Sequence, residues 1–150
     1  MKLSPEEKRI MDKMQPGILT VDGFLGNDTR NLHEILQEDA ETIEAYGYTA
    51  EDIGKRMRYF TERSKEAYEE PILIDQKYLV QQDIWRGKVV CPFPHKGLYT
   101  KADIHLKNIE NNIEISWTPL NIHFIEEHGF FEGKGSKHRI DPETIIKALF

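Results

Sequence analysis

The sequence predicts an α+β fold, and three observations carry that prediction. Two amphipathic helical stretches fill the first half of the chain, strand-like alternation begins abruptly at Pro71, and helix signals return at Thr118 and Asp141. Together they give an N-terminal helical hairpin packed with a small, mostly antiparallel sheet and two C-terminal helices. The 150 residues suit a single α+β domain, with a helical lobe over about 1–70 and a sheet-plus-helix lobe over about 71–150.

The elements follow in order. Ser4 as N-cap, Pro5 at the first helical position and two glutamates behind it open a helix that should stop before Pro16-Gly17. A Gly-containing connection follows, with a short strand expected at Ile18–Val21. From Thr29, Leu32, Ile35, Leu36, Ala40, Ile43 and Tyr46 form one apolar stripe, capped by Asn27 or Asp28 and ended by Gly47. Thr49 caps the next helix, whose stripe of Ile53, Met57, Phe60 and Ala67 runs to about Tyr68. The short connection between these helices predicts an antiparallel pair.

"PILIDQKYLVQQDIWRGKVVCPF" is rich in β-branched and aromatic residues and reads as two or three strands broken at Arg86-Gly87. In "KADIHLKNIENNIEISW", Ala102, Ile104 and Leu106 alternate with polar residues, as do Ile113, Ile115 and Trp117. A two-residue Asn111-Asn112 turn would pair Ile109 with Glu114 and mix the faces. A four-residue loop, Ile109 to Asn112, instead pairs Leu106 with Ile115 and Ile104 with Trp117, and sets Lys107 opposite Glu114. Thr118-Pro119 then starts a helix with Leu120, Phe124 and Ile125 facing inward and Gly129 closing it. Phe130 and Phe131 should fold back as core. Asp141-Pro142 starts the last helix, which docks through Ile145, Ile146, Leu149 and Phe150.

Composition narrows the function. Twenty Lys and Arg against 26 Asp and Glu give a net charge of −6, which disfavours nucleic acid as a partner. No apolar run approaches the ~20 residues of a membrane span, and "MKLSPEEKRI" lacks the apolar stretch of a signal peptide. The single cysteine, Cys91, rules out an intramolecular disulfide and fits a reducing, cytoplasmic setting. A protein partner or a second copy of the chain is the partner class left open.

Chemistry concentrates at Cys91, His95, His123 and His128. Zinc takes thiolate and imidazole, usually four ligands in structural sites, and these residues form C-x₃-H followed by H-x₄-H. In an ideal helix, residues five apart lie roughly 140° apart around the axis. His123 and His128 can therefore share a metal only if His128 sits in a distorted last turn before Gly129. The order of ligand pair, hairpin and helix resembles a zinc finger, departing from it in the histidine at the second position and the longer spacer. The leading expectation is a zinc-type structural site in a binding protein. An alternative is a metal-dependent hydrolase on the same ligands with Glu126 or Glu127 as base. Another is an anion or nucleic-acid module on the loop Lys134–Arg139, where Lys134, Ser136, Lys137 and Arg139 would hold the anion. The acidic helix before "TAEDIGKRMRYF" argues against a helix-turn-helix on DNA. His33 and His105 read as solvated residues.

Overall fold

The computed structural model describes residues 3–150. Its helices are α1 (Pro5–Lys13), α2 (Leu32–Ala45), α3 (Ala50–Ser64), α4 (Pro119–His128) and α5 (Pro142–Leu149). Its strands are β1 (Ile72–Ile74), β2 (Tyr78–Val89), β3 (Tyr99–Asn108) and β4 (Ile113–Trp117), joined as one antiparallel sheet in sequence order. The α+β class is thus the one the sequence predicts. Among the described residues no helix is long and apolar enough to cross a membrane.

The sheet is covered on one face. Val80 of β2, Ile104 and Leu106 of β3 and Trp117 of β4 are buried against Ile53, Met57 and Phe60 of α3, Ile122 and Ile125 of α4, and Ile145 and Leu149 of α5. The opposite face carries Leu79, His105, Glu114 and Ser116, all exposed, which is the pattern of an antiparallel sheet with one solvated side. The β3–β4 register is Ile104 with Trp117, Leu106 with Ile115 and Lys107 with Glu114, as the alternation requires. A second apolar cluster lies at one end of this layer, built from Met14, Phe24, Leu25, Leu32, Ile35, Cys91, Phe93, Leu120, Phe124 and Phe130.

Several local expectations are corrected. No strand forms at Ile18–Val21. Turn bonds to Thr20 from the Gly17 and Gly23 N–H groups hold this segment, and Ile18 and Val21 are exposed. Helix α2 begins at Leu32, not Thr29, with Asn31 as N-cap and the Glu34 carboxylate accepting from its N–H at 3.2 Å. Asp28 does not cap, because the Arg30 guanidinium and the Lys134 N–H occupy its carboxylate. Arg86-Gly87 does not break β2. Ile84 pairs with Ala102 and Lys88 with Thr100, so Trp85, Arg86 and Gly87 bulge opposite Lys101. Helix α3 follows α2 through Gly47 and is capped by Thr49, yet its main helical neighbour is α4, while α2 packs on α5. It ends at Ser64, with a 3-10 turn over Lys65–Ala67 before Tyr68 turns left-handed. Phe150 stays 40% exposed and stacks on Tyr48 rather than docking in the core. His33 is not free in solvent, since its Nδ1 lies 2.7 Å from Glu7.

Candidate metal centre

Two elements deliver the four side chains. Strand β2 ends at Val89 and runs into the segment 90–98, where Pro92 and Pro94 restrict the backbone on either side of Phe93. A tight turn from the His95 N–H to the Phe93 carbonyl, 2.9 Å, sends His95 back toward Cys91. Helix α4 supplies the other pair. Thr118 caps it by accepting from the Asn121 N–H at 3.1 Å, and the Asn121 side chain accepts from the Thr118 N–H at 2.9 Å. At its far end Gly129 adopts φ 61°. The Phe130 N–H reaches back six residues to the Phe124 carbonyl, 3.0 Å, where the comparable bond ending α2 spans five, from Tyr48 to Ile43. This wider last turn accompanies the convergence of His123 and His128.

The ligand atoms meet at one point. The Nε2 atoms of His95 and His123 are 2.9 Å apart, those of His95 and His128 3.2 Å, and those of His123 and His128 3.2 Å. The Cys91 Sγ lies 3.7 Å from the His128 Nε2, and all four atoms fall within 4.8 Å of one another. Tetrahedral zinc, with bonds of ~2.05 Å to nitrogen and ~2.3 Å to sulfur, would separate its nitrogens by ~3.3 Å and nitrogen from sulfur by ~3.6 Å. The four residues can therefore hold a metal ion without large movement.

Surrounding groups orient the rings. Phe93 stacks on His128 at 4.0 Å with planes 7° apart, and Tyr99 stacks on His123 at 4.4 Å. The Nδ1 of His95 is placed to donate to the Lys96 carbonyl at 3.0 Å, which leaves its Nε2 lone pair facing the cluster. Burial pushes the Cys91 thiol up to about 11. Burial, and then the neighbouring imidazoles, pull His123 and His128 down to about 4. Three imidazole Nε2 atoms and a thiol that meet this closely form an arrangement a metal cation can occupy.

The other candidate residues lie in different settings. Glu126 is not on a solvated face. It packs on Gly54 of α3, one oxygen pairs with Arg58 at 2.9 Å, and the other is buried without a hydrogen-bond partner. Glu127 is exposed and lines, with His123, Arg58 and Tyr99, a cavity of about 360 Å³. In the basic loop, Ser136 donates to Glu132 at 2.7 Å, and Arg139 holds Asp39 with two bonds of 2.7 and 3.0 Å. Both point inward. Lys134 and Lys137 remain at the surface near Glu38 and Asp22. The loop's glycines serve packing: a Cβ on Gly135 would fall 2.1 Å from the Asn27 side chain, and one on Gly133 2.3 Å from the Leu25 carbonyl oxygen.

Phe93 and Tyr99 lie near Cys91 and His95 along the chain, but their stacking on His128 and His123 crosses elements and leaves no mark in the spacing. The burial of Glu132, bonded to Asn121 and Ser136, likewise has no local signal. No family model matches the chain, and neither a curated protein nor a solved structure matches it.

Proposed function

We propose that Cys91, His95, His123 and His128 bind one zinc ion as a closed structural site, and that the protein acts by binding rather than by turnover. The observation that carries this reading is the convergence of three imidazole nitrogens and the chain's sole thiol within 4.8 Å. Four protein ligands fill a tetrahedral shell and leave no position for substrate. A lone cysteine used as a ligand must stay reduced, and on that ground we assign the protein to the cytoplasm. Its partner class is another protein or a second copy of this chain.

The test is elemental analysis of untagged protein, with thermal melting before and after chelation. The expected result is about one equivalent of zinc and a lower melting temperature without it. Under a tenth of an equivalent, with no gain on adding zinc, cobalt or nickel, would sink the proposal. Cys91→Ser and His128→Ala should each lose the metal.

One observation favours a hydrolytic second reading: the cavity of about 360 Å³ that touches both His123 and Glu127. Glu127 would be the base, since Arg58 engages Glu126. This reading needs the coordination position that His95 fills. Hydrolysis of p-nitrophenyl esters and phosphates by the zinc-loaded protein separates the two. The structural reading expects no turnover above free zinc, and none that depends on Glu127.

A further inference from the structure

A second cavity, of about 320 Å³, lies between the β2 bulge, β3 and the loop after α4. Phe24, Trp85, Lys101, Thr118, Glu132 and Lys137 are among its lining residues. The metal centre's four residues take no part in it.

Three features make it more than a crevice. Trp85 is 56% exposed, an unusual position for an indole, yet its Nε1 donates to Asp103 at 2.7 Å. The bulge turns the ring out and the hydrogen bond holds it, so a rigid aromatic face is presented to solvent. Lys101, alone opposite the bulge, has no carboxylate within 4.0 Å among the described residues, and Lys137 reaches only Asp22, at 3.8 Å. Glu132 is 2% exposed and sits at φ 70°, in the left-handed region that a glutamate rarely adopts. Strain and a buried acid coinciding at a cavity wall point to use of that residue. Its oxygens accept from Asn121 and Ser136, both at 2.7 Å, and such an acid meets a ligand's polar edge as an acceptor when ionised or as a donor when protonated.

We propose that this cavity binds a nucleoside monophosphate, with the base stacked on Trp85, the phosphate between Lys101 and Lys137, and the polar edge of the base toward Glu132. The volume lies at the small end of ligand pockets, which run from about 300 Å³ upward. It fits one nucleotide rather than a strand, and so is consistent with the acidic surface that repels polyanions. The aromatic ring and the two lysines line one cavity, where Asp103 holds the indole N–H and Asp22 lies near Lys137.

The experiment titrates AMP, GMP, CMP and UMP into the purified chain in low salt, read by Trp85 fluorescence and by calorimetry. Trp117 is buried against Thr61 and serves as the unresponsive reference. The expected result is saturable quenching by at least one nucleotide, with a dissociation constant under about 1 mM. Affinity should fall with added salt. Trp85→Ala should weaken binding roughly tenfold through lost stacking, and Lys101→Ala about tenfold through the phosphate. Both positions are at the surface, so the variants keep the fold readable. Glu132→Gln should alter which base is preferred. No saturable binding by any of the four nucleotides overturns the proposal. So does equal affinity in the Trp85 and Lys101 variants, or inorganic phosphate or the bare nucleoside binding as tightly as the nucleotide.

Discussion

Single residues set the protonation chemistry of both sites. With His123 and His128 held near 4 and the Cys91 thiol near 11, zinc binding above neutral pH releases one proton, that of the thiol. Zinc affinity should therefore rise about tenfold per pH unit between pH 7 and 9, measured by competition with a chelating dye. A flat profile would mean that sulfur is not a ligand. Glu132 gives a second test. Burial raises its carboxyl from 4.5 to about 7, against the opposing pull of Ser136, Asn121 and Arg139. The folded state thus favours the protonated acid. That stabilisation is full below pH 4.5 and is lost as pH rises through 7, a change on the order of 3 kcal/mol. Urea melts of the wild type minus those of Glu132→Gln should show this fall with rising pH. The subtraction removes the opposite trend from His123 and His128, whose depressed values cost stability as pH falls.

Among the elements, those whose cues are local follow the sequence most closely. Ser4, Thr49, Thr118 and Asp141 cap the helices that their positions announce. The β3–β4 register follows from side-chain alternation, since a one-residue slip would turn Ile104 and Leu106 to solvent. The bulge in β2 was not legible, because Arg86-Gly87 reads equally as a turn and only pairing with β3 keeps the strand continuous. Asn31, rather than Asp28, caps α2 because Asp28 is claimed by Arg30 and Lys134, the latter 106 residues away. Capping also reaches the metal centre, since α4 positions both of its histidines. Thr118→Ala should cost about 1 kcal/mol of stability and weaken zinc binding measurably. Unchanged zinc affinity at reduced stability would separate the helix start from the site.

For the whole molecule, the Cys/His cluster joins residues of the β2–β3 connection to residues at the end of α4, and a metal bound there would tie the two together. Chelation should release that connection first. Limited proteolysis of the metal-free protein is expected to cut within 90–98 before the sheet, with added zinc restoring protection. Equal cleavage rates with and without zinc would deny the centre its structural role. The backbones of 24–27 and 133–136 interlock through Gly133 N–H to Phe24 O at 2.9 Å and Asn27 N–H to Lys134 O at 3.2 Å. That contact explains the glycine-rich loop by packing between distant segments, something that spacing along the chain does not register.

By itself the sequence determined the α+β class, the starts of α1, α3, α4 and α5, the hairpin register and the four residue types suited to a metal. These depend on side-chain periodicity and on capping chemistry within a few residues. Tertiary structure alone decided that α3 packs on α4, that Arg139 and Ser136 turn inward, that Trp85 faces out, and that His123 and His128 converge. Each of those depends on partners that lie far apart in the chain. Helix periodicity puts the two histidines on different faces; the widened turn at Gly129, with Phe93 and Tyr99 stacked on their rings, brings them to a common point.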